Sequence, residues 1–372
     1  MSRRRLAVLI SLSGEGGVER MVLNLVHAFA AVPDLAVDLV LIRDESRHPR
    51  ELPEGVNVVR LGVRHSVLSV PAIARYLRAA RPEALLAAKD RAGRAALLAR
   101  AISGVSVRVV IRLGTTLSEA IKDKNVALRW LRYLPIRLMY RWADGIVAVS
   151  EGVAADVAAI AGLPTARIHV VRNPVVTPEL VRQAAAPVDH PWFADKSVPV
   201  VLGMGRLTRQ KDFPTLLRAF SRIRRVRPAR LVILGEGRDR DMLLRLSESE
   251  GVAPDVALPG FQDNPYSWLA RSDLFVLSSA WEGSPNALTE AMALGIPVVS
   301  TDCRSGPREL LDGGRFGTLA PVGDSEGLAR AMSDALDRPR PADVLKKAVS
   351  EYAADRSASR YVGILGLGSL EP

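Results

Sequence analysis

The sequence has 372 residues, 48% of them hydrophobic and 24% charged, which is the composition of a globular chain long enough for two α/β domains. No stretch reaches the roughly 18 uninterrupted apolar residues of a membrane span, and the single cysteine, Cys303, excludes an internal disulfide and fits a reducing cytoplasm. The net charge of +11 lies in the first half, because residues 1–183 contain 27 Lys and Arg against 16 Asp and Glu. This asymmetry indicates an anionic partner for that half, whether membrane, nucleic acid or phosphorylated substrate.

The first half alternates short apolar strands with helices, which predicts a doubly wound parallel sheet. The predicted strands are 5–12, 36–42, 84–88, 107–112 and 145–149, and the predicted helices are 18–30, 69–80, 91–102 and 151–161. In such a sheet ligands bind beyond the carboxyl ends of the strands. That rule makes Lys89, Asp90 and Arg112 candidate binding residues, although strand ends are also ordinary loop positions.

Three glycines follow the first predicted strand, at Gly14, Gly16 and Gly17. Glycine lets the backbone approach a ligand closely, and the following helix offers its positive end to a phosphate. The spacing is not that of a dinucleotide fingerprint or a P-loop. A tight strand-to-helix turn explains these glycines equally well.

A basic and aromatic segment occupies residues 122–142. Its apolar residues repeat at helical spacing, at Ala127, Leu131, Leu134 and Leu138. Tryptophan and tyrosine edge the segment, and four arginines are candidates for contact with an anionic membrane: Arg129, Arg132, Arg137 and Arg141. In the alternative interpretation the apolar seam packs on the sheet and the arginines are merely solvated.

A Pro- and Ala-rich linker is predicted over 175–197, and a second strand and helix cycle starts at 198–204. Arg206 and Lys211 flank the loop that follows this strand, before a helix that begins near Asp212. Two cations and a helix N-terminus at the end of a parallel strand can clamp a diphosphate. Surface basic residues are also common without any such function.

A β-α-β unit follows, with predicted strands at 274–277 and 296–300. Ser284 is predicted to cap its helix, with Pro285 at the first helical position and Gly295 at the stop. Glu282 lies in the loop, and Glu290 lies in the second helical turn. A carboxylate among Leu288, Ala291 and Met292 needs a hydroxyl or cation partner; in the alternative interpretation Glu290 faces solvent.

Three motifs of this sequence resemble those of the retaining glycosyltransferases of family 4. They are the E-x7-E spacing from Glu282 to Glu290 after SS-x-W, the motif G-x-G-R-L-x-x-x-K-D-F from Gly203 and the motif GGVER. The resemblance implies two Rossmann-like doubly wound parallel-sheet domains in the GT-B arrangement, an α/β fold with an interdomain cleft. It implies an acceptor domain over 1–183, a donor domain over 184–355 and a segment 356–372 that crosses back to the first domain. The histidine that many relatives have shortly after the strand ending at Arg112 is missing.

The same resemblance implies a metal-independent transfer of a hexose or N-acetylhexosamine from a UDP-sugar. Arg206, Lys211 and Glu282 would be catalytic, since the two cations would neutralise the leaving diphosphate and Glu282 would hold the sugar. Lys89, Asp90 and Arg112 would then lie on the acceptor side. Donor binding would use Glu290 on the ribose and further residues from four loops: Gly17, Gly235, Phe261, Asn264, Gly283, Ser284, Pro285 and Asn286.

The implied partners are a nucleotide-sugar donor, a glycan or polyprenyl-diphosphate-linked acceptor and an anionic membrane surface, with no nucleic acid. The expected location is cytoplasmic and peripheral, on the inner face of the cell membrane. No metal site is expected, because no D-x-D motif follows a strand and the five histidines are scattered. The alternatives are a sugar-nucleotide epimerase or hydrolase, a non-catalytic sugar-nucleotide-binding subunit and a basic nucleic-acid-binding protein, whose binding would depend steeply on salt.

Overall fold

The computed structural model describes residues 3–12, 17–44, 52–63, 69–119, 122, 124–194 and 197–368. Two compact units divide the chain. The first contains Met1–Pro174 and Tyr352–Pro372, and the second contains Val175–Glu351. The predicted glycine positions Gly14 and Gly16 lie outside the described residues.

The first unit is built on a seven-stranded parallel sheet with the order β3-β2-β1-β4-β5-β6-β7. Its strands are β1 (Arg4–Leu12), β2 (Leu35–Asp44), β3 (Asn57–Arg60), β4 (Ala84–Ala88), β5 (Arg108–Leu113), β6 (Gly145–Ala148) and β7 (Ile168–Val170). Its helices are α1 (Gly17–Ala30), α2 (Val70–Ala80), α3 (Asp90–Ser103), α4 (Val126–Met139), α5 (Glu151–Ala161) and α15 (Ala354–Ile364). The chain order reverses between β1 and β4, which is the switch point where doubly wound sheets bind ligands.

Two apolar cores cover the two faces of this sheet, as a parallel sheet requires. One face is covered by α2, α3 and α5, and the other by α1 and α15. Helix α15 is fixed there by the edge-to-face packing of Phe29 and Tyr361, whose ring centroids are 6.2 Å apart, and by the bond from Ser357 Oγ to the Arg172 carbonyl, 2.9 Å. The C-terminal segment therefore completes the core of the first unit.

The second unit contains a six-stranded parallel sheet with the order β10-β9-β8-β11-β12-β13. Its strands are β8 (Val200–Met204), β9 (Arg230–Leu234), β10 (Val256–Gly260), β11 (Leu274–Leu277), β12 (Val298–Thr301) and β13 (Thr318–Ala320). Its helices are α6 (Pro178–Ala184), α7 (Pro191–Ala194), α8 (Phe213–Arg224), α9 (Arg240–Ser249), α10 (Pro265–Arg271), α11 (Asn286–Ala293), α12 (Pro307–Leu310), α13 (Ser325–Asp337) and α14 (Ala342–Ala348).

The segment expected to be a bare linker is instead structured and belongs to the second unit. Helix α6 packs on α10, where Asn264 Nδ2 donates to the Gln183 carbonyl at 2.8 Å and Arg271 Nη1 donates to the Ala184 carbonyl at 3.0 Å. These bonds explain why the division between the units falls after Pro174 and not after residue 183.

Candidate active site

A buried ion pair joins the two principal sequence elements of the second unit. Lys211 Nζ lies 2.6 Å from Glu282 Oε1, and the two side chains are 18% and 8% exposed. Ser279 Oγ donates to the same carboxylate oxygen at 2.7 Å. Residues that are 71 positions apart in sequence thus form one polar cluster.

The loops that carry this pair are fastened to each other by backbone and side-chain bonds. Ala280 N donates to the Gln210 carbonyl at 2.8 Å, and Ser278 Oγ donates to the Lys211 carbonyl, also at 2.8 Å. Thr301 Oγ1, at the end of β12, donates to the Ser279 carbonyl at 2.6 Å. Because the ends of β8, β11 and β12 are tied together, Lys211 and Glu282 are held in place without any ligand.

Glu290 is the second buried carboxylate of this edge. It is 3% exposed, and the Tyr266 hydroxyl donates to its Oε1 at 3.3 Å. The expectation of a hydroxyl partner is therefore confirmed, and the alternative of a solvent-facing Glu290 is wrong. Tyr266 belongs to α10, and no sequence signal had indicated it.

The helix that carries Glu290 begins later than expected. It starts at Asn286, Pro285 takes the cap position, and no side chain caps the helix. The predicted cap at Ser284 is wrong because Pro285, with ψ of 88°, is not yet helical. The stop is as predicted: Gly295 has φ of 78°, and the Ile296 N–H reaches the Ala291 carbonyl in a Schellman motif.

Glycine turns pack closely at the ends of β8 and β9. A Cβ on Gly235 would lie 2.1 Å from the Gly205 carbonyl oxygen, so only glycine fits there. Arg206, in the neighbouring loop, is exposed, and its guanidinium makes no ion pair with the described residues. Phe261 is half-buried just after β10.

The Asn264 side chain makes two hydrogen bonds within the second unit. Its Oδ1 accepts from Ser267 N at 3.3 Å and caps α10, while its Nδ2 holds α6 through Gln183. Asn264 therefore has a structural role as the cap of α10, and its contact with the donor stays a prediction.

On the first unit, the three candidate residues at strand ends have different environments. Asp90 is engaged by both Arg94 nitrogens, at 3.0 and 2.7 Å, and by the Tyr140 hydroxyl at 2.9 Å. Lys89 has φ of 89° and places Nζ 3.2 Å from the Ser11 carbonyl. Arg112 is 1% exposed and donates from Nη2 to Asn173 Oδ1 at 2.6 Å. Asp90 is thus held by three bonds within the first unit, and the acceptor-side roles of Asp90, Lys89 and Arg112 stay predictions.

Two family models match this chain. "Glycosyl transferases group 1" covers residues 198–338, and "Glycosyl transferase 4-like domain" covers residues 16–174. The chain belongs to the family-4-like glycosyltransferases. Gly17, the first residue of α1, falls near the start of the second match.

Curated relatives and solved structures agree with this assignment. The glycosyltransferase is 29% identical, over 95% of both chains, to the N-acetylgalactosamine-N,N'-diacetylbacillosaminyl-diphospho-undecaprenol 4-alpha-N-acetylgalactosaminyltransferase of Campylobacter jejuni. It is 38% identical to the lipopolysaccharide core biosynthesis glycosyltransferase LpsE of Rhizobium meliloti over 53% of this chain and 56% of LpsE. HepE of Anabaena, solved in complex with UDP, has a TM-score of 0.75 at 18% identity and covers 98% of this chain and 100% of HepE. The fold is therefore the GT-B type of two Rossmann-like domains.

Helix α4 of the glycosyltransferase exposes most of its apolar seam. Leu131 is 61% and Leu138 50% exposed, Trp130 and Trp142 are more than half exposed, and only Ile136 of this helix is buried. The alternative in which this seam packs on the sheet is therefore wrong. Arg129, Arg132 and Arg141 flank the seam, whereas Arg137 is fixed because its Nε donates to the Ile160 carbonyl at 3.0 Å.

Neither a membrane span nor a metal cluster occurs in the part of the chain that the structure describes. No described helix of the glycosyltransferase is long and apolar enough to cross a membrane. Within the same residues, no three His, Cys, Asp or Glu side chains converge as metal ligands. The cations at the site are lysine and arginine side chains.

Proposed function

We propose that the glycosyltransferase moves a hexose or N-acetylhexosamine from a UDP-sugar to a glycan or polyprenyl-diphosphate-linked acceptor, with retention at the anomeric carbon and without a metal. It would act in cell-surface polysaccharide or glycolipid synthesis. The observation that carries the proposal is the buried Lys211–Glu282 pair at the carboxyl ends of β8 and β11. The diphospho-undecaprenol substrate in the name of the Campylobacter relative and the UDP in the HepE complex support the choice of acceptor and nucleotide.

Transfer breaks the bond between the anomeric carbon and the diphosphate, so negative charge develops on the departing UDP. Lys211 supplies a compact positive charge held in advance, and the exposed Arg206 adds a planar donor that can grip two phosphate oxygens. When Lys211 turns to the diphosphate, the Glu282 carboxylate becomes available to accept hydrogen bonds from the donor sugar. Glu290, oriented by Tyr266, accepts from the ribose hydroxyls.

The test is UDP release from a panel of UDP-sugars with EDTA present, with and without an isolated lipid-linked acceptor fraction. We expect release from one sugar only, and only when the acceptor is added. Release without acceptor would indicate a hydrolase, and loss of release on adding EDTA would overturn metal independence. Anomeric configuration of the product, read by NMR, tests retention.

The exposed seam of α4 supports a peripheral position on the inner, cytoplasmic face of the cell membrane. Apolar and tryptophan side chains edged by arginines match the boundary between acyl chains and anionic headgroups. Leu131→Ser with Leu138→Ser should reduce sedimentation with anionic vesicles and leave the melting temperature unchanged, because both side chains are already exposed. Neutralising Arg129 and Arg141 should also reduce it. Unchanged sedimentation in both variants would contradict membrane contact.

A further inference from the structure

Arg112 is a buried cation whose hydrogen-bonding capacity is mostly unused. Its side chain is 1% exposed, and its Nε and Nη1 make no hydrogen bond. Its neighbours are neutral: Nη2 donates to Asn173 Oδ1 at 2.6 Å, and the Tyr361 hydroxyl lies beside the guanidinium. Within the described residues no carboxylate forms an ion pair with it. A buried charge in such surroundings requires an anionic partner.

The guanidinium lies at the carboxyl edge of the sheet. A Cβ placed on Gly114 would lie 3.3 Å from Arg112 Nη1 and 3.7 Å from a methyl carbon of Val18, which is in the first turn of α1. Further along the same loop, the hydroxyls of Thr116 and Ser118 are also buried without a hydrogen-bond partner. The start of a helix and unused donors together favour an anion.

Lys89 adds a second cation one strand away. Ala88 and Arg112 are register partners, and the Lys89 N–H donates to the Arg112 carbonyl at 3.0 Å. With φ of 89° and ψ of 150°, Lys89 has a backbone conformation that is essentially restricted to glycine. A lysine kept in a strained conformation at the switch point between β1 and β4 indicates a function for its side chain.

Asp90, which follows Lys89, is already engaged by Arg94 and by the Tyr140 hydroxyl. The Asp90 carboxylate therefore makes no ion pair with Arg112.

We propose that Lys89 and Arg112 form an anion subsite of the first unit that binds a phosphate group of the acceptor. The inference rests on the proposed function, since it names the chemistry by which the acceptor would be recognised. Phosphate oxygens would accept from Lys89 Nζ and from Arg112 Nε and Nη1, the donors that the protein itself leaves unused at Arg112. Asn173 holds the guanidinium in position.

The anion subsite is tested by isothermal titration calorimetry of the full chain with inorganic pyrophosphate. The protein is first saturated with UDP, so that the proposed diphosphate site at Arg206 and Lys211 is already occupied. Wild type should bind pyrophosphate in the presence of UDP. Lys89→Gly should weaken that binding at least about tenfold, and because glycine accepts the backbone conformation, it should raise the melting temperature by roughly 2–4 °C. A merely structural lysine would not give weaker binding together with higher stability.

Arg91→Gln is the matched control, because it removes one charge from an exposed side chain in the first turn of α3 and should leave binding unchanged. Arg112→Gln should abolish binding, but it changes a buried residue and is interpreted only if the variant folds. Absence of pyrophosphate binding in UDP-saturated wild type, or unchanged binding in Lys89→Gly, would overturn the subsite.

The same titrations separate this inference from the proposed function. UDP is added first, so absence of UDP binding would overturn the proposed function, whereas UDP binding without a second anion overturns only the subsite. Farnesyl diphosphate in place of pyrophosphate distinguishes the source of the phosphate. Tighter binding of the prenyl compound, lost in Lys89→Gly, assigns a lipid-linked acceptor, and equal binding of both assigns recognition to the phosphates alone.

Discussion

The carboxyl edges of the two sheets bury charge in different ways. In the second unit, Glu282 has Lys211 and Ser279 as partners, and Glu290 has the Tyr266 hydroxyl. In the first unit, the buried guanidinium of Arg112 has one amide partner and two nitrogens without a hydrogen bond. Among the described residues, the buried polar side-chain atoms that lack a hydrogen bond all belong to the first unit.

This difference has a physical consequence for ligand binding. A paired site is stable when empty, and an anionic ligand has to compete with the internal partner, as it would with Glu282 for Lys211. A site with unused buried donors is stabilised by its ligand directly. The two edges are thus suited to different ligands, one that carries both phosphates and hydroxyls and one that supplies an anion.

The largest effect on turnover is expected from removing the positive charge of Lys211, in the Lys211–Glu282 pair of the second unit. Lys211→Met retains the aliphatic stem that packs on Gly205 but removes the charge that we propose to lie next to the departing phosphate. We expect a loss of about 2–4 kcal/mol in transition-state stabilisation, measured as kcat/KM for the preferred UDP-sugar. Turnover close to that of wild type would show that the pair has no part in the reaction.

Stability controls are needed here because the variant leaves Glu282 buried beside Ser279 alone. The melting temperature of Lys211→Met should fall, and the double variant with Glu282→Gln should recover part of the loss, since an unpaired buried charge is then absent. Lys347→Met, an exposed lysine of α14, is the matched control and should change neither quantity.

A smaller effect is expected from Tyr266→Phe. This change removes the hydroxyl that donates to Glu290 but keeps the ring, so the carboxylate loses its orientation and remains buried. Affinity for UDP should fall by about 1–2 kcal/mol, measured by calorimetry. A readout specific to ribose recognition is the comparison with 2′-deoxy-UDP, whose affinity should change less. Equal losses for both nucleotides would assign Tyr266 to packing alone.

Much of this fold follows from local patterns in the sequence. The strand from Leu274 to Leu277 and the stop at Gly295 were predictable, because an apolar run and a glycine in the left-handed conformation are determined by neighbours in the chain. The alternation of strands and helices likewise predicted two parallel sheets. The short edge strand β3 was missed, since its residues are only half-buried or exposed and show no apolar run.

What the sequence could not supply are contacts between distant elements. The hydrogen bond from Tyr266 to Glu290 spans 24 positions in the sequence, and the bond from Asn264 to the Gln183 carbonyl spans 81. Neither contact has a signal in the local sequence. The exposure of Leu131 and Leu138 was equally open, because an apolar seam has the same spacing whether it meets the sheet or the solvent. The strain at Lys89 is a backbone property that no residue pattern encodes.

The smallest expected effect is a change in the reactivity of the Cys303 thiol, whose pKa depends on both Glu282 and Lys211. Burial, and then the Glu282 carboxylate, raise the pKa of its thiol to about 12, while Lys211 lowers it. Because deprotonation creates an anion, Glu282→Gln should lower the thiol pKa and speed its methylthiolation at pH 8.5 about threefold, whereas Lys211→Met should raise the pKa and slow the reaction. The test is that the two variants change the reaction rate in opposite directions. Lys347→Met is the control and should leave the rate unchanged. If both variants accelerate the reaction, exposure of the thiol has changed in each, and the pair then acts mainly by holding the loops of β8 and β11 together.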